Sequence, residues 1–85
     1  MFRIKWSSKA QKQFARLGSV REQTRIADAV DTLRDLSAAK NITALANHQY
    51  GYRLRVGNYR VLFDVDTVVR IIEIQEVKKR DDRTY

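Results

Sequence analysis

The sequence predicts an α+β fold in which two helices cover one face of a single antiparallel sheet. Residues 2–6 alternate apolar and basic side chains, residues 9–36 repeat apolar side chains at helical spacing, and residues 52–77 alternate again with many β-branched residues. An alternation of period two is typical of strands, and a period near 3.6 is typical of amphipathic helices. We therefore expect a strand, a helical hairpin and a three-stranded meander within one domain, residues 1–85.

Composition limits the classes of function. The 85 residues include 17 Lys and Arg against 10 Asp and Glu, a formal net charge of +7, and no cysteine. Such a charge suits a polyanionic partner, either nucleic acid or an acidic protein. The lack of cysteine excludes a disulfide framework and a thiolate metal site. No apolar run approaches the roughly 20 residues that span a bilayer, and no signal peptide is evident, so we expect a cytoplasmic protein without membrane contacts.

The first predicted strand comprises residues 2–6, and its apolar side chains should face inward. Ser8 followed by Gln11 fits a capping box, which predicts a first helix from about Lys9 to Leu17. Gly18 follows directly and is expected to end this helix as a left-handed cap.

Ser19 with Glu22 repeats the capping signature and predicts a second helix that ends near Leu36. Its expected inward stripe comprises Ile26, Val30 and Leu33. The exposed helix faces are basic, and they either remain solvated or contact RNA or an acidic partner: Lys9, Lys12, Arg16, Arg21, Arg25 and Arg34. Residues 38–51 show no sustained period and are expected to be a connector.

Gly57-Asn58 separates two alternating runs, which predicts a two-residue hairpin loop. This register pairs Val56 with Tyr59 and Arg55 with Arg60. Apolar side chains then line one face, and the arginines line the other. Like charges directly opposite each other destabilise a sheet, so the arginine pair is more easily tolerated if an anion normally lies between the two side chains.

A second hairpin is predicted with Asp66-Thr67 as its loop and residues 68–77 as the last strand. In this register Ile72 pairs with Val61, and Glu73 pairs with Arg60. The alternation assigns Ile72 and Ile74 to the buried face, and it assigns four residues to the open face with the arginines: Ile71, Glu73, Gln75 and Val77.

The order of elements, the segment from Tyr52 to Phe63 and the closing basic segment with a tyrosine resemble the RelE/ParE superfamily of bacterial toxins. The resemblance covers nearly the whole chain, and the arginine-rich hairpin is its most specific part. It implies the toxin of a type II toxin-antitoxin pair. RelE-like members are ribosome-dependent endoribonucleases that cut messenger RNA, whereas ParE-like members inhibit DNA gyrase.

The resemblance also implies partners and site residues. A small, acidic, RelB-like antitoxin would hold the toxin inactive, and operator DNA would be bound only through that complex. No cofactor or metal is implied. The catalytic pattern falls on Arg55, Arg60, Arg80 and Tyr85. RNA-binding residues would be Arg53, Lys78, Lys79 and Arg83, and Lys79 could substitute for Arg80.

RNA cleavage through the 2′-hydroxyl needs a base, positive charge on the phosphate and an acid for the departing 5′-oxygen. Arginine suits the second task, because its planar guanidinium donates two hydrogen bonds to a phosphate. The resemblance assigns this task to Arg60 and Arg80, substrate orientation or proton handling to Arg55, and proton transfer or base stacking to Tyr85.

The base is not evident from the sequence. Glu73 is a candidate, although a cross-strand ion pair with Arg60 is the simpler interpretation. His48 has a suitable side chain but lies in the connector without a motif, and Tyr52 and Tyr59 are expected to pack under the helices. Three hypotheses follow: a messenger RNA endoribonuclease, a gyrase inhibitor, and a domain that only binds nucleic acid or its antitoxin.

Overall fold

The structure is a computed structural model that describes residues 1–79. The strands are β1 (Arg3–Trp6), β2 (Ile42–Ala44), β3 (Tyr52–Val56), β4 (Tyr59–Asp66) and β5 (Ile71–Lys79). The helices are α1 (Ser8–Ala15) and α2 (Val20–Asp31), and a 3₁₀ turn at Thr32–Arg34 continues α2. The predictions made for Arg80, Arg83 and Tyr85 lie outside the described residues. Within residues 1–79 no helix is long and apolar enough to cross a membrane.

The sheet has the strand order β1-β5-β4-β3-β2, and the expected α+β fold is confirmed. The sheet is mixed rather than wholly antiparallel, because β1 lies parallel to β5 with Ile4 opposite Ile72. The two-helix segment leads from β1 to β2 at the opposite edge of the sheet, so the parallel pair joins the first and last strands of the chain. The expected connector contains the additional strand β2, which is antiparallel to β3. Three residues are too few to show a period in the sequence.

The helix starts follow the serines. Ser7 is the N-cap of α1, one residue before the predicted cap, and its Oγ accepts a hydrogen bond from the backbone N of Ala10 at 3.0 Å. Ser19 caps α2 as predicted, since its Oγ accepts from the backbone N of Glu22 at 3.2 Å. The prediction for Gly18 was wrong: Arg16 is the C-cap of α1, and the glycine with positive φ is Gly57.

The core lies between the helices and one face of the sheet. The predicted stripe of α2 is confirmed, and Ile72 and Ile74 are fully buried on the face that the helices cover. The largest fully buried side chains are Phe63, Ile26, Leu33, Leu54, Ile72, Ile74 and Val61. Each contributes about 1.5–3 kcal/mol relative to an exposed side chain. This core fixes which face of the sheet remains open.

The first hairpin has the predicted register. Tyr52 pairs with Phe63, Arg55 with Arg60, and Val56 with Tyr59. Gly57 has φ 56°, a left-handed conformation that glycine adopts without steric cost. The structure therefore presents Arg55 and Arg60 side by side on one face, as the alternation predicted.

The second hairpin has a different register from the predicted one. Ile72 pairs with Val65 rather than with Val61, because residues 67–70 form the loop and Asp66 pairs with Ile71. A β-bulge then leaves Gln75 without a partner between the pairs Phe63–Ile74 and Leu62–Glu76. The extra residue moves Val77 from the predicted open face into the core, where it is 4% exposed.

Candidate nucleic-acid interface

Three basic residues lie opposite one another on three neighbouring strands. Arg55 of β3 pairs with Arg60 of β4, and Arg60 pairs in turn with Lys78 of β5. Neighbouring strands lie about 4.8 Å apart, so the three side chains leave the sheet in a line that crosses the strands. We call these three residues the cation row. Glu73, which was predicted opposite Arg60, is not part of it.

A small cavity of about 110 Å³ lies beside the cation row and is lined by Arg53, Arg55, Tyr59 and Arg60. Arg55 is exposed, and Arg53 and Arg60 are half-buried. Among residues 1–79 these three arginines form no ion pair, so no described carboxylate neutralises them. Guanidinium groups in this arrangement can donate several charge-assisted hydrogen bonds to a phosphate.

The buried carboxylate of Glu76 lies beside the row. Its Oε1 is 3.7 Å from Nζ of Lys78 and 3.3 Å from Nζ of Lys9, and its side chain is 6% exposed. Burial acts to raise the pKa of Glu76, but the hydrogen bonds from Gln13 and Lys9 and the charges of Lys78 and Lys9 outweigh it and hold the pKa below its usual value. Glu76 is therefore an anion at neutral pH.

Helix α2 holds the tip of the first hairpin. The hydroxyl of Tyr59 donates a hydrogen bond of 2.5 Å to Oε2 of Glu22. This bond, burial and the negative charge of Glu22 all raise the pKa of Tyr59. The guanidinium of Arg25 lies so close to Gly57 that a Cβ there would be 2.8 Å from its Nη1. Tyr52 and Tyr59 pack against the core as predicted.

The other end of the open face is acidic. Asp64 pairs with Glu73, and both accept hydrogen bonds from Nε2 of Gln75, at 3.2 and 2.5 Å. Lys5 lies 3.8 Å from Oε2 of Glu73. We call Asp64, Asp66 and Glu73, which line a cavity of about 540 Å³, the acidic end. The prediction that Glu73 lies opposite Arg60 was wrong, so Glu73 is neither the ion-pair partner of Arg60 nor placed beside it to act as a base.

Several site residues were not found by sequence reasoning. Gln13 and Glu76 contact each other across a separation of 63 residues, and Glu22 reaches Tyr59 across 37. One signal was present: the run Ile74-Gln75-Glu76-Val77 breaks the alternation, because a continuous period would bury a glutamate and expose a valine. His48 lies in the exposed loop before β3, where its Nδ1 accepts from the backbone N of Tyr50 at 3.0 Å.

Known proteins share this fold. No curated protein matches the chain in sequence. The RelE of an archaeal RelE-RelB complex from Pyrococcus horikoshii OT3 superposes with a TM-score of 0.79 at 23% identity, over 96% of this chain and 98% of that one. The isolated Escherichia coli RelE toxin gives a TM-score of 0.81 at 14% identity, over 98% and 88%. A chromosomal ParDE system from P. aeruginosa gives 0.73 at 15%, over 95% and 98%.

At these identities the structural matches establish the fold, and it is shared by RelE and ParE alike. The family assignment rests on the sequence, because residues 4–82 match the family described as ParE toxin of type II toxin-antitoxin system, parDE. The match begins at the second residue of β1 and covers the rest of the described fold. The chain therefore belongs to the ParE toxin family of type II toxin-antitoxin systems, within the RelE/ParE superfamily.

Proposed function

We propose that this toxin is a ribosome-dependent messenger RNA endoribonuclease that inhibits translation in the cytoplasm. The observation that supports it is the cation row, which brings Arg55, Arg60 and Lys78 together from three strands. Such a row places like charges opposite each other, an arrangement that opposes folding. A phosphate bound along the row would attract all three side chains and so offset the repulsion between them. A rigid sheet holds the donors in place before the substrate arrives.

The proposed reaction is cleavage by the neighbouring 2′-hydroxyl. A general base takes the proton of the 2′-hydroxyl as its oxygen attacks the phosphorus, and the bond to the 5′-oxygen breaks as a general acid protonates that oxygen. The products are a 2′,3′-cyclic phosphate and a 5′-hydroxyl. Arg60 donates hydrogen bonds to the phosphate oxygens as negative charge accumulates there. Arg55 orients the phosphate, and Arg53 contacts the adjoining backbone from the same small cavity.

The residues proposed for proton transfer are inferred from the family resemblance. Arginine stays protonated near neutral pH and is a poor base, so Arg55 would act chiefly through orientation. Tyr85 is the proposed residue for proton transfer or base stacking, and Arg80 would add charge at the phosphate. Lys79 and Arg83 would bind the RNA backbone nearby. The guanidinium groups provide the charge, so the proposal includes no metal ion.

We also propose an acidic, RelB-like antitoxin as partner. Several solved structures with this fold are toxin-antitoxin complexes, including RelE-RelB pairs. An acidic segment would complement the cation row and would compete with RNA for it. Operator DNA would be bound only through this complex, since the antitoxin would occupy the basic face of the toxin.

Inhibition of DNA gyrase is the second candidate. The family description that matches residues 4–82 is that of a ParE toxin. In this case the chain would act by binding, and single changes in the cation row would have small effects on inhibition. The gyrase hypothesis therefore makes a prediction for Arg60→Ala opposite to that of the cleavage hypothesis.

Cleavage of ribosome-bound message separates the candidates. Purified toxin is added to translating ribosomes, and primer extension locates the cuts, with Arg60→Ala as the test variant. Arg21→Ala is the matched control, because Arg21 is an exposed arginine on α2. Cuts inside the reading frame by wild type and Arg21→Ala, and their loss in Arg60→Ala, support cleavage. An intact message in every reading frame, at toxin concentrations that stop translation, contradicts it.

The same preparations are assayed for DNA supercoiling by gyrase. Stalled gyrase-DNA complexes with an intact message would establish the second candidate. A protein that does neither and leaves growth unaffected when induced would be a domain that only binds nucleic acid or its antitoxin.

A further inference from the structure

Beyond the end of β1, Ser7 and helix α1 form hydrogen bonds with the backbone along the edge of β5. The backbone N of Ser7 donates to the carbonyl of Ile74 at 2.9 Å, and Oγ of Ser7 donates to the carbonyl of Gln75 at 3.1 Å. Six residues after Ser7, Gln13 makes the next contact, since the backbone N of Val77 donates to its Oε1 at 2.7 Å. Ser7 and Gln13 therefore satisfy backbone groups that a neighbouring strand would otherwise pair.

Gln13 has a second contact at the same place. Its Nε2 donates to Oε1 of Glu76 at 3.3 Å, and that oxygen also faces the ammonium groups of Lys9 and Lys78, at 3.3 and 3.7 Å. Glu76 is 5% exposed. A buried carboxylate with several donors has a fixed orientation, because each lost contact would leave the charge undersolvated.

We propose that Gln13 and Glu76 are positioning residues that hold the ammonium group of Lys78 in the cation row. The inference rests on the proposed function. A lysine side chain has several rotatable bonds and about 2 kcal/mol of rotamer entropy, so an unrestrained ammonium would sample many positions. Lys78 is exposed, but its partner is buried and anchored by Gln13 on another element. The carboxylate thus fixes Lys78 beside Arg60.

Glu76 also has an opposite effect, because its negative charge weakens the attraction of the row for RNA. Removing the charge should therefore release Lys78 and, at the same time, strengthen general attraction for phosphate. The two effects act on different kinetic constants. Orientation affects kcat, whereas general attraction affects KM.

The test is a double-mutant cycle on ribosome-bound message with Glu76→Gln, Lys78→Met and the double variant. We expect Glu76→Gln to lower kcat about tenfold, which corresponds to about 1.4 kcal/mol, with KM unchanged or lower. In the Lys78→Met background the same change should leave kcat unaffected, since the group through which it acts is absent. Glu73→Gln is the matched control, because Glu73 is also a β5 glutamate with a lysine partner, Lys5 at 3.8 Å, and kcat should stay at the wild-type value.

Two kinetic results would overturn the proposal: an unchanged kcat in folded Glu76→Gln, or equal losses in both backgrounds, which would indicate a general structural effect. If Glu76→Gln fails to fold, Gln13→Ala replaces it, with a smaller expected loss of kcat. A second readout is independent of cleavage. Relaxation of the Lys78 Cε signal in NMR should show greater mobility in Glu76→Gln, and equal mobility in both proteins would contradict positioning even if the wild type proves not to cleave RNA.

Discussion

Arg55 and Arg60 lie directly opposite each other in β3 and β4, and the register brings Lys78 of β5 beside Arg60. The same face holds a second like-charge pair, Asp64 and Glu73. The two pairs differ in how the repulsion is relieved. Gln75 donates to both carboxylates of the acidic pair, whereas among residues 1–79 no carboxylate forms an ion pair with Arg55 or Arg60. The arginine pair is therefore the one that suits an external anion.

Replacing Arg60 should separate activity from stability. We expect Arg60→Ala to lower the rate of message cleavage by about 10²- to 10³-fold, the range for loss of one donor to a transition-state anion. The free energy of unfolding should stay the same or increase by up to about 1 kcal/mol, because a like-charge pair is removed. Cleavage kinetics and urea denaturation measure the two quantities. A loss of stability that parallels the loss of rate would contradict a direct role of Arg60.

The first hairpin could be predicted because its determinants are local. Gly57-Asn58 specifies a two-residue loop, and the loop fixes every pair from Val56–Tyr59 to Tyr52–Phe63. The second hairpin has no such signal. Its four-residue loop ends at Arg70 with φ 57°, a conformation that an arginine seldom adopts, and Asp66 stabilises it by accepting from the backbone N of Val68 at 2.9 Å.

In the second hairpin, whether a side chain was assigned to the correct face depends on whether the pairing shifted by an even or an odd number of residues. The loop shifted the pairing of Ile72 by four residues, from Val61 to Val65, and an even shift leaves each side chain on its predicted face. Ile72 and Ile74 were therefore assigned correctly although their partners were not. The single extra residue of the bulge reversed the alternation, which is why Val77 was assigned to the wrong face.

The sequence predicted the arginine pair at the centre of the site but not the residues that surround it. Arg55 and Arg60 are neighbours through a local hairpin, but Lys78 joins them only after the loop and the bulge have set its register. The contact between Gln13 and Glu76 depends on how α1 docks against β5. Propensity and period carry no information about such contacts between distant segments.

Gln75 should stabilise the acidic end. We expect Gln75→Leu to lower the free energy of unfolding by about 1–2 kcal/mol, because Asp64 and Glu73 lose the amide that donates to both. High salt should restore part of this loss by screening the two carboxylates. Chemical denaturation in low and high salt measures it. A loss that is independent of salt would indicate poorer packing rather than repulsion.

Glu76 should make stability depend on acid. Its pKa is lowered in the folded protein, so its contribution is fully present above the pKa of the unfolded chain and is lost as pH falls through the folded value. We expect Glu76→Gln to destabilise the protein by about 1–3 kcal/mol near neutral pH. The difference from wild type should vanish in the most acidic buffer in which both still fold. A difference that persists there would show that the charge is not responsible.

Gly57 should be intolerant of a side chain for two separable reasons. We expect Gly57→Ala to cost about 1–2 kcal/mol, because φ 56° is unfavourable for alanine and because its Cβ would lie 2.8 Å from Nη1 of Arg25. The crowding involves only the end of a flexible side chain. In an Arg25→Ala background the cost should therefore fall slightly but remain, and thermal denaturation of the four proteins measures both parts.

Tyr59 should ionise later than an ordinary tyrosine. The hydrogen bond to Glu22, with burial and the charge of that carboxylate, raises its pKa above 10.0. The stability that this bond provides is present at lower pH and is lost as pH rises through the raised value, because the phenolate can no longer donate to Glu22. Ultraviolet titration of wild type, Tyr59→Phe and Glu22→Gln measures the shift. The absorbance change that is missing from Tyr59→Phe belongs to Tyr59. It should occur above pH 10.0 in wild type and at lower pH in Glu22→Gln. Equal titration in wild type and Glu22→Gln would show that Glu22 does not hold the hydroxyl proton and that α2 contacts the hairpin tip by packing alone.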